Sequence, residues 1–375
     1  MSSGIEKVTS GRGFSEFIEL PFSLYRSDPH WVAPIRSMQR HMIDPSKGHP
    51  FHEHGETACF LARSPSGSVV GRICAIVNRA HNDFHHDKTG FFGFLEAVDD
   101  QGVFDSLLET ASDWLRKRGM DTMRGPMNFS TNEEIGTLVD GFDRRPALMM
   151  TYNPPYHGGR IEAAGFSKAK DVLAYLLEKD RIRWDRMRRL ASLVERRTDA
   201  EVRTVRRKHL YEDVLTLMDI YNECWSRNWG FVPMTDAEFR QMAKDLSLML
   251  VEDLAPVVYE NGRAVAFAVG LLDANAVFHA ARGSLLRTAL RLKVPPFKMK
   301  LDGVRVLLLA VREKWRGCGL ESLIISRMIE NGFRMGVTWS ELSWVLEDNY
   351  ALRTILEEEM NTVVYKTYRI YDKNL

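Results

Sequence analysis

Arg316, Gly317, Cys318 and Gly319 stand between an apolar run at 304–311 and a stretch of helical periodicity at 320–335. A buried strand that turns through two glycines straight into a helix leaves backbone N–H groups pointing outward, and the helix N-terminus adds partial positive charge. With Arg316 available for a charge-assisted contact, the segment predicts a cradle for a diphosphate. It is not a P-loop, since no Gly-Lys-Ser/Thr follows, nor a dinucleotide fingerprint, since GxGxxG is absent. A glycine-rich turn that binds nothing has the same local pattern. The other tempting group is His49, His52, His54, His81, His85 and His86. Without cysteines or a fixed helical spacing they read as loop histidines, and no metal site is predicted.

The elements that must position the cradle follow from the rest of the chain. Its 375 residues argue for two domains, placed at 1–179 and 201–375 with a linker helix at 180–200. The composition is that of an ordinary globular protein, and 51 basic against 50 acidic side chains exclude a bulk electrostatic claim on nucleic acid. No apolar run approaches the roughly 20 residues of a spanning helix, and the first residues carry no signal-peptide core. Four scattered cysteines fit a reducing cytoplasm. In the first half, a helix at 14–25, strands at 58–62, 69–77 and 90–97, an amphipathic helix opening near 104 and a strand at 122–125 precede a helix that ends at Gly165 and a strand at 171–177. The second half repeats the order: a strand at 201–205, a helix at 211–225, and a helix opened by the capping box Thr235-Asp-Ala-Glu238. Strands at 255–259 and 264–272 follow, joined by an Asn261-Gly262 hairpin signal. Then come the cradle segment, a strand at 339–345, a short helix at 349–358 and a last strand at 363–370. Both halves read as one mixed α/β unit used twice. Residues 179–208 hold twelve basic side chains against five acidic ones, a solvated linker face or a surface for anionic lipid or phosphate. Residues 282–301 hold six basic side chains, no acid and many large apolars. That mixture suits a membrane surface, or a buried loop with snorkelling cations.

The run Val311-Arg-Glu-Lys-Trp-Arg316-Gly317-Cys-Gly319-Leu320, followed by a helix, resembles the acyl-CoA signature of the GCN5-related N-acetyltransferases (GNAT). Val345-Leu-Glu-Asp-Asn349-Tyr-Ala-Leu is similar to the strand and Asn-led helix that flank the pantetheine arm there. Trp31-Val-Ala-Pro34, Phe91-Phe-Gly-Phe94, Gly125-Pro-Met-Asn128, Gly141-Phe-Asp143, Asn228-Trp-Gly-Phe-Val-Pro233 and Tyr365-Lys-Thr-Tyr-Arg-Ile-Tyr371 look like a bacterial family of tandem acyltransferases, some of which are ceramide synthases. The resemblance implies two tandem GNAT-like domains. The second holds acyl-CoA as co-substrate at Val311, Arg316, Gly317, Cys318, Gly319, Leu320 and Asn349. The first, whose corresponding junction Glu96-Ala-Val-Asp-Asp-Gln-Gly102 would repel a diphosphate, is a degenerate copy. Departures are Lys314, Leu272, and Leu356 where many members place the Tyr that protonates the leaving thiolate.

The reaction so implied needs a base for the attacking amine, a donor for the thiolate and a main-chain N–H near Val311 for the carbonyl oxygen. Base candidates are Asp273, His279, Glu341 and Glu347, with Glu347 first because it ends the strand leading to Asn349. Tyr350 or Tyr365 stands as acid, and Cys318 reads as packing. The leading function is an acyl-CoA-dependent N-acyltransferase on a primary amine, a long-chain sphingoid-type base, in the cytoplasm with peripheral contact to the anionic inner membrane face through 282–301. The alternatives are an acetyltransferase on a small soluble amine, an aminoacyl-tRNA-dependent transferase and a non-catalytic acyl-CoA sensor. The near-neutral charge weighs against nucleic acid.

Overall fold

Strand β1 (Gly4–Lys7) leads into helix α1 (Gly11–Leu24), whose first turn is capped by the Ser10 hydroxyl accepting from the Gly13 N–H, and then into α2 (Arg36–Ile43). The structure is a computed structural model and describes residues 4–247 and 249–375. Strands β2 (Gly55–Arg63) and β3 (Val69–Asn78) form a hairpin, followed by α3 (Arg79–His85) and β4 (Thr89–Ala97). Helix α4 (Gln101–Arg116), β5 (Thr122–Gly125), β6 (Thr137–Asp140), α5 (Tyr156–Ala163) and β7 (Ser167–Glu178) complete the first half. Helix α4 turns Val103, Phe104, Leu107, Leu108, Ala111 and Leu115 onto the sheet, where they meet Ile73, Ala75 and Phe92. Each of the larger buried side chains, the valine, phenylalanine and leucines, is worth about 1.5–3 kcal/mol, so this one face supplies much of the local stability.

The second half begins with α6 (Trp184–Arg197), β8 (Glu201–Thr204), α7 (Leu210–Trp225) and α8 (Asp236–Leu246). The predicted capping box is formed, with Thr235 and Glu238 bonding each other's backbone N–H. After β9 (Pro256–Glu260) and β10 (Arg263–Leu272) come α9 (Asn275–Ala281) and α10 (Leu285–Lys293). Next are β11 (Gly303–Val311), α11 (Leu320–Met335), β12 (Trp339–Leu346), α12 (Tyr350–Thr354) and β13 (Val363–Asn374). Helix α6 buries Met187 and Ala191 and packs against α11, leaving its arginines on the outer face.

The chain divides into two units. One is Met1–Val172 with Asn275–Met299 and Lys366–Leu375, and the other is Leu173–Ala274 with Lys300–Tyr365. The first unit orders its strands β1-β2-β3-β4-β5 and then the C-terminal part of β13, with Tyr371 facing Gly125. The second orders β12-β11-β10-β9-β8, antiparallel except for the parallel pair β11 and β12. Both are the mixed α/β arrangement that the patterning predicts. Two stretches return to the first unit from late in the sequence. Asn275 Nδ2 donates to the Pro146 carbonyl at 2.7 Å, and the Arg369 guanidinium makes two bonds with the Asp171 carboxylate. Local periodicity carries no signal for either excursion, because it reports an element and not its partner.

Candidate active site

The second unit has a gap between two parallel strands. β11 and β12 pair only from Gly303–Trp339 to Val306–Leu342, yet β11 runs on to Val311 and β12 to Leu346. The break coincides with a bulge. Val269 of β10 faces Leu308 and Gly270 faces Val306, so Leu307 is the extra residue. A bulge bends its strand and redirects main-chain groups, so β11 leaves the ladder with an edge of N–H and C=O groups open toward the gap. Below it, Val306, Leu309, Ile325, Met328, Ile329 and Leu342 help line an apolar cleft.

The basic-glycine loop closes the upper end of β11. Gly317 and Gly319 both take positive φ, +75° and +84°, which only glycine adopts without strain. A Cβ on Gly317 would meet nothing within 4 Å, so the loop is open there. Helix α11 starts at Leu320 with no side-chain cap, so its first N–H groups face outward. Arg316 is exposed and held in place by its Nε bond to the Val311 carbonyl at 3.1 Å. Arg312, by contrast, is buried and paired with Asp219 and Glu223, which fixes the turn. An uncapped helix start, glycine backbone and one exposed arginine are the donor set a diphosphate needs, so acyl-CoA fits these residues.

At the base of the gap lies a polar group of four, three of them buried and the fourth, Tyr365, half-buried. Arg305 and Glu341 face each other across the last paired rungs, and both are fully buried. The Ser343 hydroxyl donates to Glu341 Oε1 at 2.6 Å and accepts from Arg305 Nε at 3.0 Å. The Tyr365 hydroxyl donates to Glu341 Oε2. A buried carboxylate is tolerated because these partners satisfy it. Arg305 and Ser343 were not legible as site residues in the sequence, although an arginine inside an otherwise apolar strand is itself the signal.

The predicted residues are thus distributed unevenly. Val311, Arg316, Gly317, Cys318, Gly319 and Leu320 form the loop, with Cys318 exposed on it and Leu320 buried beneath. Asn349 accepts the Leu352 N–H and caps α12. Glu347 lies just past β12, half-buried, its carbonyl taking a bond from Arg353. Tyr350 is 71% exposed, and Leu356 is core. His279 folds with the first unit, its Nδ1 on the Trp31 carbonyl at 2.8 Å. The Asp273 amide bonds the Gly303 carbonyl, at the start of β11, whereas the loop follows the end of that strand. At about 3.3 Å per residue, the two ends of β11 lie about 26 Å apart.

The first unit has the same parting with its contents already supplied. β4 and β5 pair only from Thr89–Thr122 to Phe91–Arg124, and a register shift in β4 follows. There the chain fills its own gap: the Met127 N–H donates to the Phe92 carbonyl and the Phe94 N–H to Asn128 Oδ1. Helix α4 is also capped, Asp100 accepting from Gly102 and Val103. A carboxylate therefore sits where α11 leaves an open helix start.

No family model matches the chain. It is similar over 375 residues to the bacterial ceramide synthase of Caulobacter vibrioides, with 35% identity, 96% of this chain and 94% of that protein covered. Protein YghO of Escherichia coli is 30% identical over 367 residues, covering 96% of this chain and 92% of its own. Among solved structures, a tandem GNAT protein from the clavulanic acid biosynthesis pathway matches with TM-score 0.58 at 12% identity, over 100% of this chain and 98% of its own. A GCN5-related N-acetyltransferase from Sphaerobacter thermophilus gives 0.55 at 13%, over 99% and 95%. At such identities the structures speak for the fold, which is that of tandem GNAT proteins, as the sequence motifs imply.

Proposed function

The chain belongs to the family of the Caulobacter bacterial ceramide synthase, and from that membership we propose that it is an acyl-CoA-dependent N-acyltransferase whose acceptor is a long-chain, sphingoid-type amine. The observation that carries the reading is the gap of the second unit, where the strands part at Val306 and Leu342 beside an open, uncapped helix start. In this reading, residues 316–320 hold the diphosphate of CoA, and the pantetheine arm lies along the free edge of β11. The acyl chain enters the apolar cleft, where each buried methylene is worth about 0.8 kcal/mol. The amine nitrogen attacks the thioester carbonyl, the C–S bond breaks, and the proton lost by nitrogen ends on the thiolate, leaving an amide and CoA. Tyr365, poised on Glu341 at the parting, is assigned to that proton transfer. Glu347 is the alternative group.

The lipid character of the acceptor draws support from α10 and the residues after it. Leu286 is 71% exposed and Phe297 58%, with Leu285, Leu290 and Val294 also exposed, among Arg287, Arg291, Lys293 and Lys298. Apolars that dip below headgroups ringed by cations suit an anionic membrane surface, at about 1 kcal/mol per basic residue. Among the described residues no helix is long and apolar enough to cross a membrane.

Two measurements test the proposal. Acylation assays should offer sphingoid bases against polyamines and amino acids with an acyl-CoA donor; activity confined to the soluble amines removes the lipid reading. In vesicle sedimentation, changing Arg287, Arg291, Lys293 and Lys298 to Glu should abolish binding to anionic vesicles, and raised salt should weaken binding of the native chain. Equal sedimentation of the two proteins contradicts membrane contact.

A further inference from the structure

Helix α6 is held to the second unit by one face and presents another to solvent. Met187, Ala191 and Val194 form the inward stripe, and Val194 Cγ2 lies 2.6 Å from where a Cβ on Gly319 would stand. At the other end Trp184 packs on Phe333, so α6 runs antiparallel to α11 and ends beside the start of that helix. At about 100° per residue, Leu190, Arg197, Arg186, Leu193, Arg189 and Arg196 fall within one arc of about 120°. All six are exposed, Leu190 to 36% and Leu193 to 45%. Arg186 pairs with Glu359, just beyond α12. Among the described residues, Arg189, Arg196 and Arg197 form no ion pair; Arg189 makes one bond, to the Asp185 carbonyl. The acids of the helix stand outside the arc, Glu195 paired with Arg327 and Asp185 in the first turn.

We propose that this arc docks a small acidic carrier protein that presents an acyl group on a phosphopantetheine arm, as a second donor beside acyl-CoA. The inference rests on the acyl-transfer reading of the gap, since CoA and such a carrier share the arm and the thioester. Position supports it: α6 ends at the loop of 316–320, where an arm bound for the gap has to enter. Charge supports it too, because three arginines with no acid beside them in the arc attract an acidic surface. Arginine set around aliphatic side chains, with no lysine, is also the composition that protein interfaces favour. The helix is about 21 Å long, a size that suits a transient, salt-sensitive encounter.

Other occupants fit the arc less well. CoA alone gives the two leucines nothing to bury. RNA has as little use for them, and the arc offers no aromatic ring on which a base could stack. A bilayer calls for side chains that stand clear of the surface, as Leu286 does at 71% exposure, whereas Leu190 and Leu193 sit half-sunk among arginines. The reaction with the carrier is the one already described. The amine nitrogen bonds the acyl carbon, the C–S bond to the arm breaks, and the proton lost by nitrogen ends on the carrier's thiolate.

The test is calorimetric titration of the full chain with a purified acyl carrier protein of bacterial fatty-acid synthesis in its apo form, which lacks the arm. Saturable binding is expected, weaker at raised salt. Changing Arg189 and Arg196 together to Glu should weaken it about tenfold, and Leu193→Gln, which removes apolar contact and no charge, should weaken it too. Both variants should keep the native affinity for acyl-CoA and the native turnover with it. Gly317→Asp should bind the apo carrier as the native chain does, which separates failure of this surface from failure of the cradle. Loaded with an acyl group, the carrier should donate it to the amine with the native chain and much less with the arginine variant. Absence of apo-carrier binding, binding indifferent to both variants, or binding without acyl transfer would overturn the proposal. So would RNA or anionic vesicles whose binding the arginine variant loses while carrier binding persists.

Discussion

Gly317→Asp is expected to weaken acyl-CoA binding by about a hundredfold, roughly 2.7 kcal/mol, in a protein that still folds. In the proposed cradle, the backbone N–H groups and the helix start would present positive potential with no side chain in the way. A carboxylate there brings like charge against the diphosphate and offers an acceptor to the N–H groups that should bind it. The fold should survive because the added Cβ meets nothing within 4 Å. The remaining cost is the left-handed conformation at φ +75°, about 1–2 kcal/mol for a residue with a side chain. Gly317→Ala carries that strain without the charge, so the difference between the two variants isolates the electrostatic part. Gly319 is a poorer probe, since its Cβ would lie 2.6 Å from Val194 Cγ2 and displace the packing of α6. Calorimetry with CoA, alongside circular dichroism, makes the measurement; unchanged affinity in a folded Gly317→Asp protein would sink the cradle.

The strand, glycine turn and helix of 303–335 were legible because they are local: they follow one another within about thirty residues, and each has its own pattern. The same holds for the Thr235–Glu238 capping box and the Asn261-Gly262 hairpin. What escaped the sequence is long-range. Arg305 meets Ser343 and Glu341 only because two parallel strands pair in one register, and no spacing along the chain encodes that register. The placement of His279 beside Trp31 likewise depends on α9 packing into the first unit. The filled gap of that unit was half visible: Asp99 and Asp100 announced a poor anion site, but the hydrogen bond from Met127 to Phe92, which occupies the free strand edge, did not.

Tyr365 and Glu341 are where the largest loss of turnover is expected. Tyr365→Phe removes one hydroxyl and leaves the ring, so acyl-CoA binding should persist while kcat falls about 10²–10⁴-fold, the usual worth of a positioned proton donor. Glu341→Gln keeps the shape and a hydrogen-bond acceptor for Tyr365, and should fall between native and Tyr365→Phe. Glu341→Ala is a different experiment: it strands Arg305, which is fully buried, without its countercharge, and should cost about 3–5 kcal/mol of stability. Glu341→Gln removes the same countercharge, so both Glu341 variants should lower the thermal midpoint, and Tyr365→Phe, which keeps the Arg305–Glu341 pair, is the variant that separates chemistry from folding. If Tyr365→Phe turns over normally and Glu347→Gln does not, proton transfer belongs to the far end of β12. The Arg305–Glu341 pair would then serve to pin the two strands at the rung where they part. The gap would still be the site, since the parting of β11 and β12 does not depend on which group moves the proton.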